Sequence, residues 1–482
     1  MPTGPRRAKS IELRLLGFMG VLVILIAIAG LIQQALGRRE LSNLRQRLEA
    51  SGTLRSFDAI APPAPPESIE NGRTLLASLE PLTSLYKAHP ALLERPFSLY
   101  EISPDAWASA STAATPPFHS KTTEHTPKSW ADFRRQLAFA SDLLESRRLL
   151  QKTVALKYEY ETFVDREPLD RIPGLISLLQ WDTVLRLHDG DTAGAIGNLS
   201  DVVRLVRFIG ARHVLFHHRR EIAEWRGTVE TLFCAVLQAN SLTDADLLRL
   251  SDIASSIDFF SDALTTMEIE TASIRIFYSL MDQLPSNSVR WAFGGDPPWL
   301  FGTKWTISFR RSLWRALWAD ADQARMLSQW AAALDQMRQL IATRNWQAIG
   351  PTLPEVNTTP SAIEHLRFPI ASRGYINSVM REHFLSTLQA ETSRQQILTV
   401  IALERYRLKN SHYPATLADL VPAYLPEPPP DWFDGHPLKY HLKPNDHFLL
   451  YSVGENSHDD GGDPSRPEMA PTARDLVWPR LQ

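Results

Sequence analysis

Cysteine is almost absent from this 482-residue chain. The single Cys234 excludes an intramolecular disulfide and any multi-cysteine zinc or iron–sulfur site. Charge of one sign is lacking as well, since 51 Lys and Arg face 54 Asp and Glu. With a net charge of -3, nothing in the overall balance suggests nucleic-acid wrapping or an acidic tail. No Gly-x-Ser-x-Gly, His-Glu-x-x-His or Cys-x-x-Cys pattern occurs, so the common nucleophile, zinc-hydrolase and dithiol signatures are missing. What is present, 44% apolar and 22% charged residues, is the balance of a globular protein long enough for two or three structured units.

The first strong signal is residues 15–32 (LLGFMGVLVILIAIAGLI), 18 residues without a charge. At about 1.5 Å per helical residue such a run matches a hydrocarbon core of about 30 Å, which predicts a transmembrane anchor over 15–36. Arg6, Arg7, Lys9 and Arg14 precede it and Arg38, Arg39, Arg45 and Arg47 follow. The charges on the two sides nearly balance, so the orientation is taken from the usual signal-anchor layout, a short basic tail before an apolar helix, with residues 1–14 in the cytoplasm and the bulk of the chain outside it; the alternative is a signal peptide cleaved at Ala35-Leu36-Gly37. The expected location is the inner (cytoplasmic) membrane of a bacterium, single-pass, with the membrane itself as one partner.

Residues 37–129 read as a juxtamembrane helix followed by linkers, because Leu41, Leu44 and Leu48 repeat at helical spacing before Pro62-Pro63-Ala64-Pro65-Pro66 and a Ser/Thr/Pro-rich stretch over 103–129. From 130 to 400 the pattern is helical. Ile196, Leu199, Val203 and Val206 make one apolar stripe and Ile222, Trp225, Val229, Leu232 and Val236 another. Thr243-Asp244 with Asp246 is an N-cap cluster. Within this body, residues 181–206, with Gly190-Asp191 at a turn and Ala195, Leu199 and Val202 after it, resemble a single tetratricopeptide-type hairpin. That resemblance implies a surface for protein partners.

Four constellations invite chemistry. His213, His217 and Glu221 share one helical face with His218 adjacent, but eight residues rise about 12 Å, so the three cannot converge on one ion. Arg212, Arg219 and Arg220 make that face cationic, and it reads as a solvated, partly packed basic face. Residues 295–304 (GDPPWLFGTK) lack the Gly-Lys-Ser/Thr order of a phosphate loop, and Glu268 and Glu270 diverge on a helix. Trp291, Trp299, Trp305, Trp314 and Trp318 crowd an irregular region, either closing the end of the helical core or lining a ligand pocket. No catalytic residue and no small-molecule ligand is assigned.

The C-terminal stretch 401–463 is the most specific. A helix (IALERYRLKN) runs into His412-Tyr413-Pro414, then Leu417-Ala418-Asp419-Leu420-Val421, Tyr424-Leu425-Pro426 and Asp431-Trp432-Phe433-Asp434-Gly435. Leu438–Leu442 and Phe448–Ser452 alternate around Pro444-Asn445-Asp446 as a β-hairpin, and the chain then enters Gly454-Glu455-Asn456-Ser457-His458-Asp459-Asp460-Gly461-Gly462-Asp463. This order resembles the C-terminal domain of the major pseudopilin of bacterial type II secretion systems. In that family the acidic loop binds calcium, so the resemblance implies Ca2+ with candidate ligands Asp459, Asp460 and Asp463. A prepilin carries Glu at the fifth position of its mature chain, whereas counting from Phe18 puts Leu22 there. Residues 464–482 read as a tail.

The fold class expected from these readings is mainly α: one transmembrane helix, a helical-hairpin or bundle body, and a small α+β pseudopilin-like module. The expected function is a non-enzymatic, single-pass envelope protein whose body binds other envelope proteins and whose module carries calcium. The alternative is an envelope hydrolase or ligand-binding enzyme with its pocket over 291–318.

Overall fold

The computed structural model describes residues 5–60, 65–82, 129–138, 171–210, 215–239, 242–281, 283–285, 288–293, 304–353, 364, 367–371, 375–444, 447–462 and 475–478. For 5–27, 57–58, 290–291, 304–305 and 375–378 it describes the backbone alone. Leaving aside single-turn helices, the chain order is α1 (Pro5–Ala50), α2 (Pro66–Ser78), α3 (Trp130–Ala138), α4 (Ile172–His188), α5 (Thr192–Gly210), α6 (Leu215–Glu224), α7 (Glu230–Leu237), α8 (Asp244–Ser255), α9 (Phe259–Met281), α10 (Lys304–Leu317), α11 (Ala319–Thr343) and α12 (Tyr375–Asn410). A three-stranded antiparallel sheet of β1 (Lys439–Lys443), β2 (His447–Ser452) and β3 (Leu476–Trp478) follows, with β2 in the centre. The mainly helical class expected from periodicity is what the chain adopts.

The expected anchor is corrected. Among the described residues no helix is long and apolar enough to cross a membrane, and the single-pass reading falls with it. The apolar run lies inside α1, a helix of 46 residues whose described side chains begin at Ile28; those of 15–27 lie outside the described residues. From Ile28 the helix turns polar quickly, through Gln33, Gln34, Arg38, Arg39 and Glu40. One face of it is committed to protein, since Gly30, Gly37 and Leu41 are buried. A Cβ added to Gly37 would stand 3.0 Å from the Ala321 backbone nitrogen, and one added to Gly30 would stand 2.6 Å from Leu317 Cδ2. Small residues at this spacing let helix backbones approach closely, and the Arg38–Asp320 ion pair (3.3 Å) continues the same contact.

The chain divides into two compact units. The first comprises Met1–Ala61, Met267–Asp335 and Leu353–Arg381, and contains the buried Asp322. This carboxylate is fully buried and accepts from Trp314 Nε1 (2.9 Å), Ala371 N (2.9 Å) and Ile370 N (3.3 Å). Burial pushes its pKa up to about 6 against the pull of those donors. Trp314 packs edge-on against Phe293 at 5.2 Å and beside Tyr278 at 5.9 Å.

The second unit comprises Pro62–Thr266, Gln336–Thr352 and Glu382–Gln482. Nearly every residue of α4 from Ile172 to Leu185 is buried, so it is the central helix of this unit. The turn to α5 needs Gly190, whose φ of +78° is left-handed, and Asp191 accepts from Gly194 N (2.9 Å) to open α5. Asp182 accepts from Arg186 (2.6 Å) and from Asn198 (2.8 Å), tying the two helices together. Thr243 and Asp246 form a reciprocal capping box at the start of α8. One hydrophobic core runs from Leu75 on α2 through α4 and α5 to Ile397, Leu403, Tyr413, Leu420, Leu450 and Trp478. The C-terminal sheet therefore packs into the same core as the helices; Gln396 on α12 also donates to Leu476 O at 2.6 Å.

Candidate functional site

The loop after β2 is built for tight turning. Gly454, Ser457, Gly461 and Gly462 all have left-handed φ, and the consecutive pair at 461 and 462 (+78° and +72°) is a conformation that glycine adopts without the Cβ penalty. Asp459 Oδ1 accepts from Gly461 N (2.9 Å) and from the Tyr451 hydroxyl (2.9 Å). The Gly461 N–H leads in holding the Asp459 carboxyl below its ordinary range. Asp460 Oδ2 accepts from Asn456 Nδ2 (3.1 Å) on the surface. Asp463, the third residue singled out from sequence, lies outside the described residues.

The structure adds a carboxylate that sequence reasoning missed. Asp475, just before β3, accepts from Gly462 N at 2.7 Å through Oδ2, while its buried Oδ1 has no hydrogen-bond partner. Its pKa is raised, first by burial and further by the charges of Asp460 and Asp459. The only signal in the sequence was an aspartate directly before the apolar triplet Leu476-Val477-Trp478. As the loop stands, no group of three or more His, Cys, Asp or Glu among the described residues is placed to hold a metal ion. The chemistry of the set, hard oxygens on a glycine-permitted turn with one orphaned buried carboxylate oxygen, is nonetheless the kind that suits Ca2+.

The module around this loop is held by a second buried aspartate. Asp431 accepts from Phe433 N (3.0 Å), Ser452 Oγ (2.8 Å) and Val453 N (2.8 Å), linking the Trp-Phe-Asp-Gly turn to the end of β2. Burial pushes its carboxyl up to about 6. The single turn Trp346–Ile349 joins the same turn by donating from Trp346 N to Trp432 O (3.0 Å) and from Gln347 N to Phe433 O (3.3 Å).

The helical histidine face differs from its sequence reading. His213 lies outside the described residues, and the face is buried instead of solvated: His217 is 8%, His218 0% and Glu221 2% exposed. His218 belongs to the apolar stripe, one position in the run Leu215, His218, Ile222, Trp225, Val229, and that spacing was the legible sign of its burial. On its inner side it meets His383 of α12 at 5.1 Å between ring centroids. Its Nδ1 stands 3.4 Å from Glu221 Oε2. A π-helical turn, Trp225–Val229, follows α6 directly.

In the tryptophan-rich region Trp314 is core, with its N–H satisfied by Asp322. Trp299 and the side chains of Trp291 and Trp305 lie outside the described residues. Glu268 pairs with Arg55 at 3.3 Å rather than with Glu270. No protein-family model, curated protein or solved structure matches the chain.

Proposed function

We propose that the chain is a non-enzymatic interaction protein of the bacterial envelope, acting outside the cytoplasm, with a calcium-binding, pseudopilin-like C-terminal module. The observation that carries the interaction reading is the outer face of α1. Ile28, Leu31, Ile32 and Leu36 are 48%, 66%, 54% and 55% exposed, although they recur at helical spacing opposite the packed Gly30, Gly37 and Leu41. A contiguous apolar stripe left in water is the signature of a surface that a partner covers, and an amphipathic helix of another envelope protein matches its geometry. A photo-crosslinking residue placed at Leu31 of the full chain in its own cells is expected to yield a discrete protein adduct, which Leu36→Glu reduces. Adducts to lipid alone, or none, would sink this reading.

The calcium reading rests on the pseudopilin-like order of residues and on the loop geometry, with Asp475 joining Asp459, Asp460 and Asp463 as a ligand. Millimolar Ca2+ is expected to raise the thermal midpoint of the full chain by a few degrees, because a ligand bound only by the folded state stabilises it. Asp475→Asn is expected to remove most of that increment, and a wild-type midpoint indifferent to Ca2+ would leave the loop as a plain turn.

A further inference from the structure

We propose that Glu221, Asp262, His218 and His383 form a proton-operated latch in the second unit, holding α6 against α12 while Glu221 and Asp262 keep their protons and releasing it when they lose them. The geometry is that of a closed polar cluster. His218 and His383 are both 0% exposed, and His218 Nε2 and both ring nitrogens of His383 lack a hydrogen-bond partner. Glu221 is wedged in place, because its carboxyl occupies the space where a Cβ on Gly210, the last residue of α5, would be. It cannot swing toward solvent without moving one of these helices.

The groups facing the cluster come from four helices. From α5 comes Arg207, whose charge opposes the burial of Glu221 and Asp262; from α6 comes Arg219, which pairs with Glu382 of α12 at 2.5 Å and lowers the pKa of His383. From α9 comes Asp262, and from the residue just before that helix comes Asp258, whose charge raises Asp262. Burial, helped for Asp262 by the Glu221 charge, pushes Glu221 up to about 8 and Asp262 up to about 7. Burial drives His218 down to about 4 and His383 well below its ordinary value.

The signs follow from linkage. Between about pH 4.5 and 6.5, opening would let the imidazoles gain protons while the carboxyls lose them, so the two effects oppose each other and the latch is nearly indifferent to pH. Above 6.5 the exposed imidazoles no longer take up protons, and only the carboxyl loss remains. The closed state therefore weakens as pH rises through 7 and 8, where the buried Glu221 and the half-buried Asp262 come to carry like charges side by side.

The test is hydrogen–deuterium exchange on the full chain at pH 6.0 and 8.5, corrected for the intrinsic rate. Protection over α6 and over residues 382–393 of α12 is expected to fall about tenfold or more, with α4 unchanged. Glu221→Gln, an isostere of the protonated acid, is expected to flatten this response, and Asp262→Asn serves the same purpose should that variant not fold. Equal protection at both pH values, an equal loss in the variant, or loosening that extends to α4 would each overturn the latch.

Discussion

Asp431→Ala is expected to lower the stability of the second unit by about 3–5 kcal/mol, read as a shift in the urea midpoint. The change strands Phe433 N, Ser452 Oγ and Val453 N, three donors that one buried carboxylate now satisfies at 2.8–3.0 Å. Each buried donor without a partner costs about 1–3 kcal/mol, and because all three belong to one network the total falls short of their sum. The loss should spread beyond the sheet, since Leu450 and Trp478 belong to the same hydrophobic core as α4 and α5. Asp431→Asn keeps the shape and one acceptor oxygen and should cost less. It should also remove a pH slope: the native carboxyl, raised from 3.8 to about 6, holds a proton that the unfolded chain has released, so wild-type stability declines as pH rises across that interval. Unchanged midpoints in both variants would mean that water replaces the carboxylate at no cost.

Asp322→Ala should be comparably damaging to the first unit, again by about 3–5 kcal/mol. It removes the acceptor for Trp314 Nε1 and for the backbone N–H groups of Ile370 and Ala371, so the 367–371 segment loses its attachment to the start of α11. Trp314→Phe keeps most of the ring in contact with Phe293 and Tyr278 while deleting the N–H, and should cost about 1 kcal/mol from the hydrogen bond alone. In the double variant the two losses should not add, because the donor and acceptor belong to one bond. Thermal unfolding followed by far-ultraviolet dichroism, which reads the helices, measures all three proteins; additive losses would show that Asp322 acts on the backbone donors alone.

Local pattern determined much of this protein. The stripe from Ile196 to Val206 became the buried face of α5, the Thr243 cluster became the capping box of α8, and the alternating segments around 438–452 became β1 and β2. These features follow from the helical and strand periods and from capping chemistry, which act over a few residues. The run at 15–32 shows where that reasoning stops, because an apolar composition suits both a lipid span and a helix packed on protein. For the described end of α1, the docking of Gly30 and Gly37 on Leu317 and Ala321 decided between them. The functional groups were decided the same way. His218 and His383, Asp322 and Ala371, and Asp459 and Asp475 are brought together by chain crossings that no local spacing encodes. Burial and partnership set the protonation of such groups, and both are properties of the packed structure.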